Sequence, residues 1–173
     1  MDGKVKGNSV NIVVLTVSDT RTEENDKSGD TLVERIKKSG HRIVEKRIVK
    51  DELSLLKDTL KGWIDSSEVD VVIATGGTGV TGRDVTPEAF ESLYEKSIPG
   101  FGELFRWLSY QNIKTSTIQS RATAGVANGT FLFALPGSTG ACKDAWDMII
   151  VHQLDSTHKP CNLVELMPRL MEK

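Results

Sequence analysis

The chain has 173 residues, 38% of them hydrophobic and 27% charged, which is the make-up of one globular domain with enough apolar material for a core. Its 22 basic and 24 acidic side chains leave a net charge of −2, which excludes a general nucleic-acid grip, since that needs a basic face. No apolar run approaches the ~20 residues that cross a bilayer, and two cysteines and three histidines without ligand spacing exclude a disulfide framework and the common zinc patterns.

The start of the chain, residues 1–8, is polar and lacks a signal-peptide core. It reads as a disordered leader to a single domain over 9–173, expected in the cytoplasm with Cys142 and Cys161 reduced. VNIVVLTV (10–17) is an apolar, β-branched run that predicts a strand buried on both faces. SDTRTEENDKSGD (18–30) reads as too hydrophilic for core. Leu32, Val33 and Ile36 then share a helical face that ends at Gly40. HRIVEKRIV (41–49) predicts a charged strand near a sheet edge. Leu53, Leu56, Leu60 and Ile64 mark a helix over 52–64. VDVVIA (69–74) is a second buried strand.

Thr86-Pro87-Glu88 reads as a helix start, with Thr86 as cap. FGELFRWLSY (101–110) predicts a helix whose Phe105 and Trp107 read as core, with an interface between chains as the other reading. Residues 115–129 are rich in small side chains and carry no clean period. TFLFAL (130–135) is a third buried strand, and ACKDAWDMII (141–150) is helical. Strands alternating with helices imply parallel pairing through right-handed crossovers. The expected fold is therefore a three-layer α/β sandwich with a mostly parallel sheet.

In such sheets, ligands bind beyond the carboxyl ends of the strands. Three of these ends carry suggestive loops: Ser18-Asp19, Thr75-Gly76-Gly77-Thr78-Gly79, and Pro136-Gly137-Ser138-Thr139. Glycine lets backbone N–H groups turn inward, and concave sets of such donors hold phosphates. GGTGVTGRD is neither a P-loop nor a dinucleotide fingerprint. Asp84 sits beside this loop, where a carboxylate near phosphates needs a cation between them; Mg²⁺ meets that need. A turn aspartate bonded to its own loop is the other reading of Asp84. Asp51 is placed to cap the helix over 52–64, and it also lies on the ligand-binding rim.

From IVVLTVSD to HKPCN the chain resembles the MoaB/MogA family of molybdenum cofactor biosynthesis proteins. The most specific matches are ATGGTGVTGRDVTPEAF, PGFGELFR, STIQSRATAGV and ALPGSTGACKDAW, and the tail ending in KPCN is similar to the MoaB branch. The resemblance implies a molybdopterin-binding fold assembled as trimers or hexamers. It also implies that molybdopterin is adenylylated with Mg-ATP and pyrophosphate released. Asp51 and Asp84 match the family's two functional carboxylates, which would hold the Mg²⁺. Thr75, Gly76, Gly77, Thr78 and Gly79 match the nucleotide and phosphate region. Ser138 matches the serine of the molybdopterin-side loop, with Gly137, Ser18 and Asp19 as further candidates on that side. Thr139 stands where many members carry proline. Arg83 is a candidate for the leaving pyrophosphate. The alternative is a carrier that binds molybdopterin without chemistry.

Overall fold

The computed structural model describes residues 7–173. Most of the expected leader, residues 1–6, lies outside the described residues. Of the rest, the Asn8 N–H donates to Ser156 Oγ.

The elements run β1 (Asn11–Val17), α1 (Lys27–Lys38), β2 (Arg42–Val49), α2 (Leu53–Ile64), β3 (Val71–Thr75), α3 (Thr86–Glu91), β4 (Lys96–Ser97) and α4 (Pro99–Ile113). A 3-10 segment (Lys114–Gln119), β5 (Thr123–Ala127), β6 (Thr130–Leu135) and α5 (Thr139–Ala145) follow. A π-type turn over Trp146–Ile150 extends α5.

The sheet order is β2-β1-β3-β6-β5-β4. β2, β1, β3 and β6 are parallel, whereas β5 runs antiparallel to both β6 and β4. Alternation along the strands sorts the core into two layers. Ile12, Val14, Val71 and Ile73 face Leu32, Phe105 and Trp146 from α1, α4 and the α5 extension. Val13, Leu15, Val72 and Ala74 face Leu56, Leu60 and Phe90 from α2 and α3. The three-layer sandwich expected from the element order is present, and the charged strand over 42–49 does lie at a sheet edge.

Three readings need correction. The polar stretch 18–30 contributes to the interior, because Asp26 and Ser28 are buried. Asp26 caps α1, accepting from the Gly29 N–H. It also takes the Thr16 hydroxyl at 2.8 Å and the Lys46 ammonium at 3.1 Å; that ion pair offsets the burial of its charge. Thr86 does not cap α3. Its hydroxyl is fully buried and donates to Gly76 O at 2.8 Å. Finally, Phe105 is core as expected, but Trp107 is 64% exposed.

Candidate functional site

The parallel strands β1, β2, β3 and β6 bring their carboxyl ends to one rim, so Ser18, Asp51, Gly76 and Gly137 become neighbours. β3 ends in a turn that only glycine can make. The Gly76 N–H continues the ladder to Leu135 O at 2.9 Å, and the residue then takes φ 104°. A Cβ there would lie 2.2 Å from Val17 O. Gly77 follows at φ 67°, and its Cβ would meet Thr86 Oγ1 at 2.3 Å and Asp51 Oδ1 at 2.9 Å. The turn therefore presses onto the end of β1 with no room for side chains. Among the described residues, the N–H groups of Gly77 and Thr78 donate to no backbone carbonyl. They remain available to an acceptor on the rim.

Asp51 does not cap α2. Glu52 holds that position, and its side chain makes no capping bond. The Asp51 carboxylate instead turns toward Gly77. Partial burial pushes its pKa up, the charges of Asp19 and Asp84 push it further, and Arg83 opposes them. Asp84 approaches the same loop two residues further on, at Gly79. Its Oδ2 accepts from the Thr81 N–H at 2.9 Å and the Thr81 hydroxyl at 2.6 Å, so the turn-aspartate reading holds for that oxygen. Burial works against its charge, but the Thr81 bonds, the Gly79 amide and the Arg121 charge outweigh it and hold the pKa low. Two neighbouring carboxylates are thus pushed in opposite directions, a pattern found where charge is put to use.

Asp19 is engaged by its neighbours on the rim. Arg83 grips both of its oxygens at 3.0 Å, and the Asp51 N–H donates to it at 3.2 Å. The Arg83 hydrogen bond is the main reason its carboxyl is held below the usual range. Ser18 Oγ accepts from the amides of Thr20 and Arg21, which shapes its own loop. Ser138 caps α5 through the Ala141 N–H. The Thr75 hydroxyl is buried and donates to Pro136 O at 3.0 Å. That bond locks the β3 and β6 loops together, and Thr75 borders a polar cavity on this rim. Thr78 is also buried.

Arg121 escaped the sequence reading. Its Nε donates to Gly79 O at 2.7 Å and its Nη2 to Asp84 O at 2.9 Å, while its guanidinium pairs with Glu88. One side chain thus staples the segment from Gly79 to α3. The only signal in the sequence is its place at the head of the small-residue run ATAGVA, where a solvated arginine reads equally well.

Two cavities adjoin on this rim and share Gly77, Asp84 and Gly137. The polar one, about 320 Å³, lies on the β1 side and is lined by Ser18, Arg21 and Asp51. The other, about 690 Å³, runs between α4 and α5 past Phe105, Ile113 and Ser138 to Asn112 and Asp144. Both fall in the size range of small-molecule sites.

A family model described as "Probable molybdopterin binding domain" matches residues 13–156. The chain is 50% identical over 151 residues to Molybdenum cofactor biosynthesis protein B of Escherichia coli K12, covering 87% of this chain and 89% of that one. A crystal structure of Molybdenum cofactor biosynthesis protein B superposes with a TM-score of 0.86 at 39% identity, over 96% of this chain and 98% of the other. The tungsten cofactor synthesizing protein MoaB from Pyrococcus furiosus gives 0.75 at 38% identity, over 82% and 90%.

Proposed function

The chain belongs to the MoaB/MogA family of molybdenum cofactor biosynthesis proteins, and on that premise we propose that it binds molybdopterin and adenylylates it with Mg-ATP, releasing pyrophosphate. The observation that carries the reading is that Asp51 and Asp84 lie along the Gly77–Gly79 loop and border one cavity, with the charge of Asp84 helping to raise the Asp51 pKa. Two acids beside a phosphate cradle repel the substrate unless a hard cation stands between them. Their donor atoms fit Mg²⁺, since both residues offer carboxylate oxygens, the ligands this hard cation takes. Phosphate oxygens and water would complete its shell, as is usual for this ion. Asp51 and Asp84 would hold Mg²⁺, which would supply neutralising charge to the phosphates.

The chain's own part is to position and to balance charge. The free amides of Gly77 and Thr78 donate to phosphate oxygens. Arg83, paired with Asp19, would stabilise the charge of the leaving pyrophosphate. An oxygen of the molybdopterin phosphate forms a bond to the α-phosphorus of ATP. The bond from that phosphorus to the bridging oxygen breaks, and its electron pair departs with pyrophosphate. A homo-oligomer belongs to the same proposal, supported by exposed apolar side chains along α4.

Pyrophosphate release, measured with molybdopterin and Mg-ATP, tests the reaction. The wild type releases it, and Asp84→Asn and Asp51→Asn each lose roughly 10²-fold, the scale of a preorganised charged contact, with unchanged circular dichroism. If the wild type binds molybdopterin yet releases no pyrophosphate, the protein is a carrier.

A further inference from the structure

The larger cavity ends at a carboxylate with no assigned task. Asp144 lines its far wall from α5, and among the described residues no lysine or arginine lies within salt-bridge distance of it. Asn112 of α4 fixes its orientation, with Nδ2 donating to Asp144 Oδ2 at 3.0 Å. That bond uses one of about four acceptor sites on the carboxylate. The remaining sites, Oδ1 among them, form a pair of adjacent acceptors. The walls between this acid and the glycine turn are largely apolar, with Phe105, Ile113, Pro136 and Ala141. A flat ring with polar edges suits such walls, and a carboxylate bordering them calls for hydrogen-bond donors.

We infer that Asp144, oriented by Asn112, is the residue that selects a pterin, by accepting from its N3–H and 2-amino group. The proposal rests on the reading of this rim as a molybdopterin site and names the group that reads the ring. Molybdopterin carries its phosphate at one end and its pterin at the other. The cavity has matching ends, with Gly77, Gly79 and Asp84 at one and Asn112 and Asp144 at the other. The pterin edge presents two donors side by side, which fits a carboxylate. Adenine presents one donor beside the N1 acceptor, which a carboxylate repels. The same chemistry therefore assigns the nucleotide base to the other side of the turn.

The test is a fluorescence titration with 6-hydroxymethylpterin phosphate and with its lumazine counterpart, in which a carbonyl replaces the 2-amino group. The wild type should prefer the pterin by about ten-fold or more, the scale of one hydrogen bond to a charged group. Asp144→Asn should abolish that preference, because an amide pairs equally with the N3–H and neighbouring carbonyl that both rings present. Its melting temperature and ATP affinity should match the wild type, which separates recognition from folding. If Asp144→Asn keeps the wild-type preference, the assignment to Asp144 fails and the molybdopterin reading stands. If the wild type binds neither ring, the molybdopterin reading fails and takes this assignment with it.

Discussion

Gly76 shows how little freedom the site has at the level of one residue. Its φ of 104° is a left-handed conformation, and the carbonyl of Val17 occupies the space a methyl group would need. Gly76→Ala should therefore destabilise the fold by about 1–3 kcal/mol for the backbone alone, with displacement of β1 added. Urea unfolding measures this, and wild-type stability of the variant would mean that the turn has room for a methyl group. His41 sits at the opposite end of the sheet and makes a different prediction. Its Nδ1 accepts from the Val10 N–H at 3.2 Å, and its buried Nε2 has no partner among the described residues. Burial lowers its pKa from 6.5, with Asp155 opposing. A proton on Nδ1 would break the Val10 bond. Because the folded-state pKa is the lower one, the unfolded chain binds the proton first. The stabilisation is complete above pH 6.5 and falls as the pH drops through the folded-state pKa. The melting temperature should decline between pH 7.5 and 5.5 more steeply for the wild type than for His41→Gln, and equal slopes would clear His41 of the effect. The glycines were legible in the sequence because their spacing has few other uses. His41 was not, because nothing local distinguishes a buried histidine from an exposed one.

Among the elements, β1 and β3 announced themselves through β-branched runs and β6 through a continuous apolar one, whereas β4 and β5 did not. β5 is TAGVA, a sequence of low β-propensity that becomes a strand because β6 supplies an antiparallel partner along its whole length. β4 has only two residues, too few for any period to show. Arg121 enters the rim from just before β5, so the element hardest to read delivers a side chain that organises the glycine loop. It holds Gly79 and Asp84 by their carbonyls and α3 by Glu88. Arg121→Met keeps the apolar stem and removes the donors. The segment 77–88 should then exchange its amide hydrogens at least several-fold faster, while the amides of β1 and β3 keep their protection. The Asp84 pKa should rise toward the ordinary carboxylate value as the guanidinium charge is lost. Unchanged exchange over 77–88 would show that the Thr81–Asp84 bonds suffice to hold the loop. Asp51 carries the complementary lesson. Its position before a helix matches a cap, and only the path of β2 into the rim shows that the carboxylate faces Gly77.

For the molecule as a whole, the order of strands and helices was enough to give the three layers, since alternating elements leave few ways to bury both faces of a sheet. It was not enough to tell which apolar side chains stay outside. Leu104, Trp107, Tyr110 and Ile113 of α4, with Ile118 just beyond it, are all exposed, Trp107 by 64% and Ile118 by 79%. A helix that buries Phe101 and Phe105 has already met its need for core contact. Several large apolar groups left along the same segment exceed the scattering of single residues normal on a monomer. The occupant that needs no additional partner is a second copy of the chain, and closed symmetric assemblies are the common outcome for soluble proteins. Light scattering should therefore return a multiple of the 19.0 kDa chain mass. Trp107→Glu should shift the population toward the single chain, because it would bury an unpaired charge in the interface, while far-ultraviolet circular dichroism stays the same. The segment also borders the larger cavity through Asn112 and Ile113. Loss of assembly should consequently weaken pterin binding more than ATP binding, and equal losses of both would sever the link between the interface and the cavity.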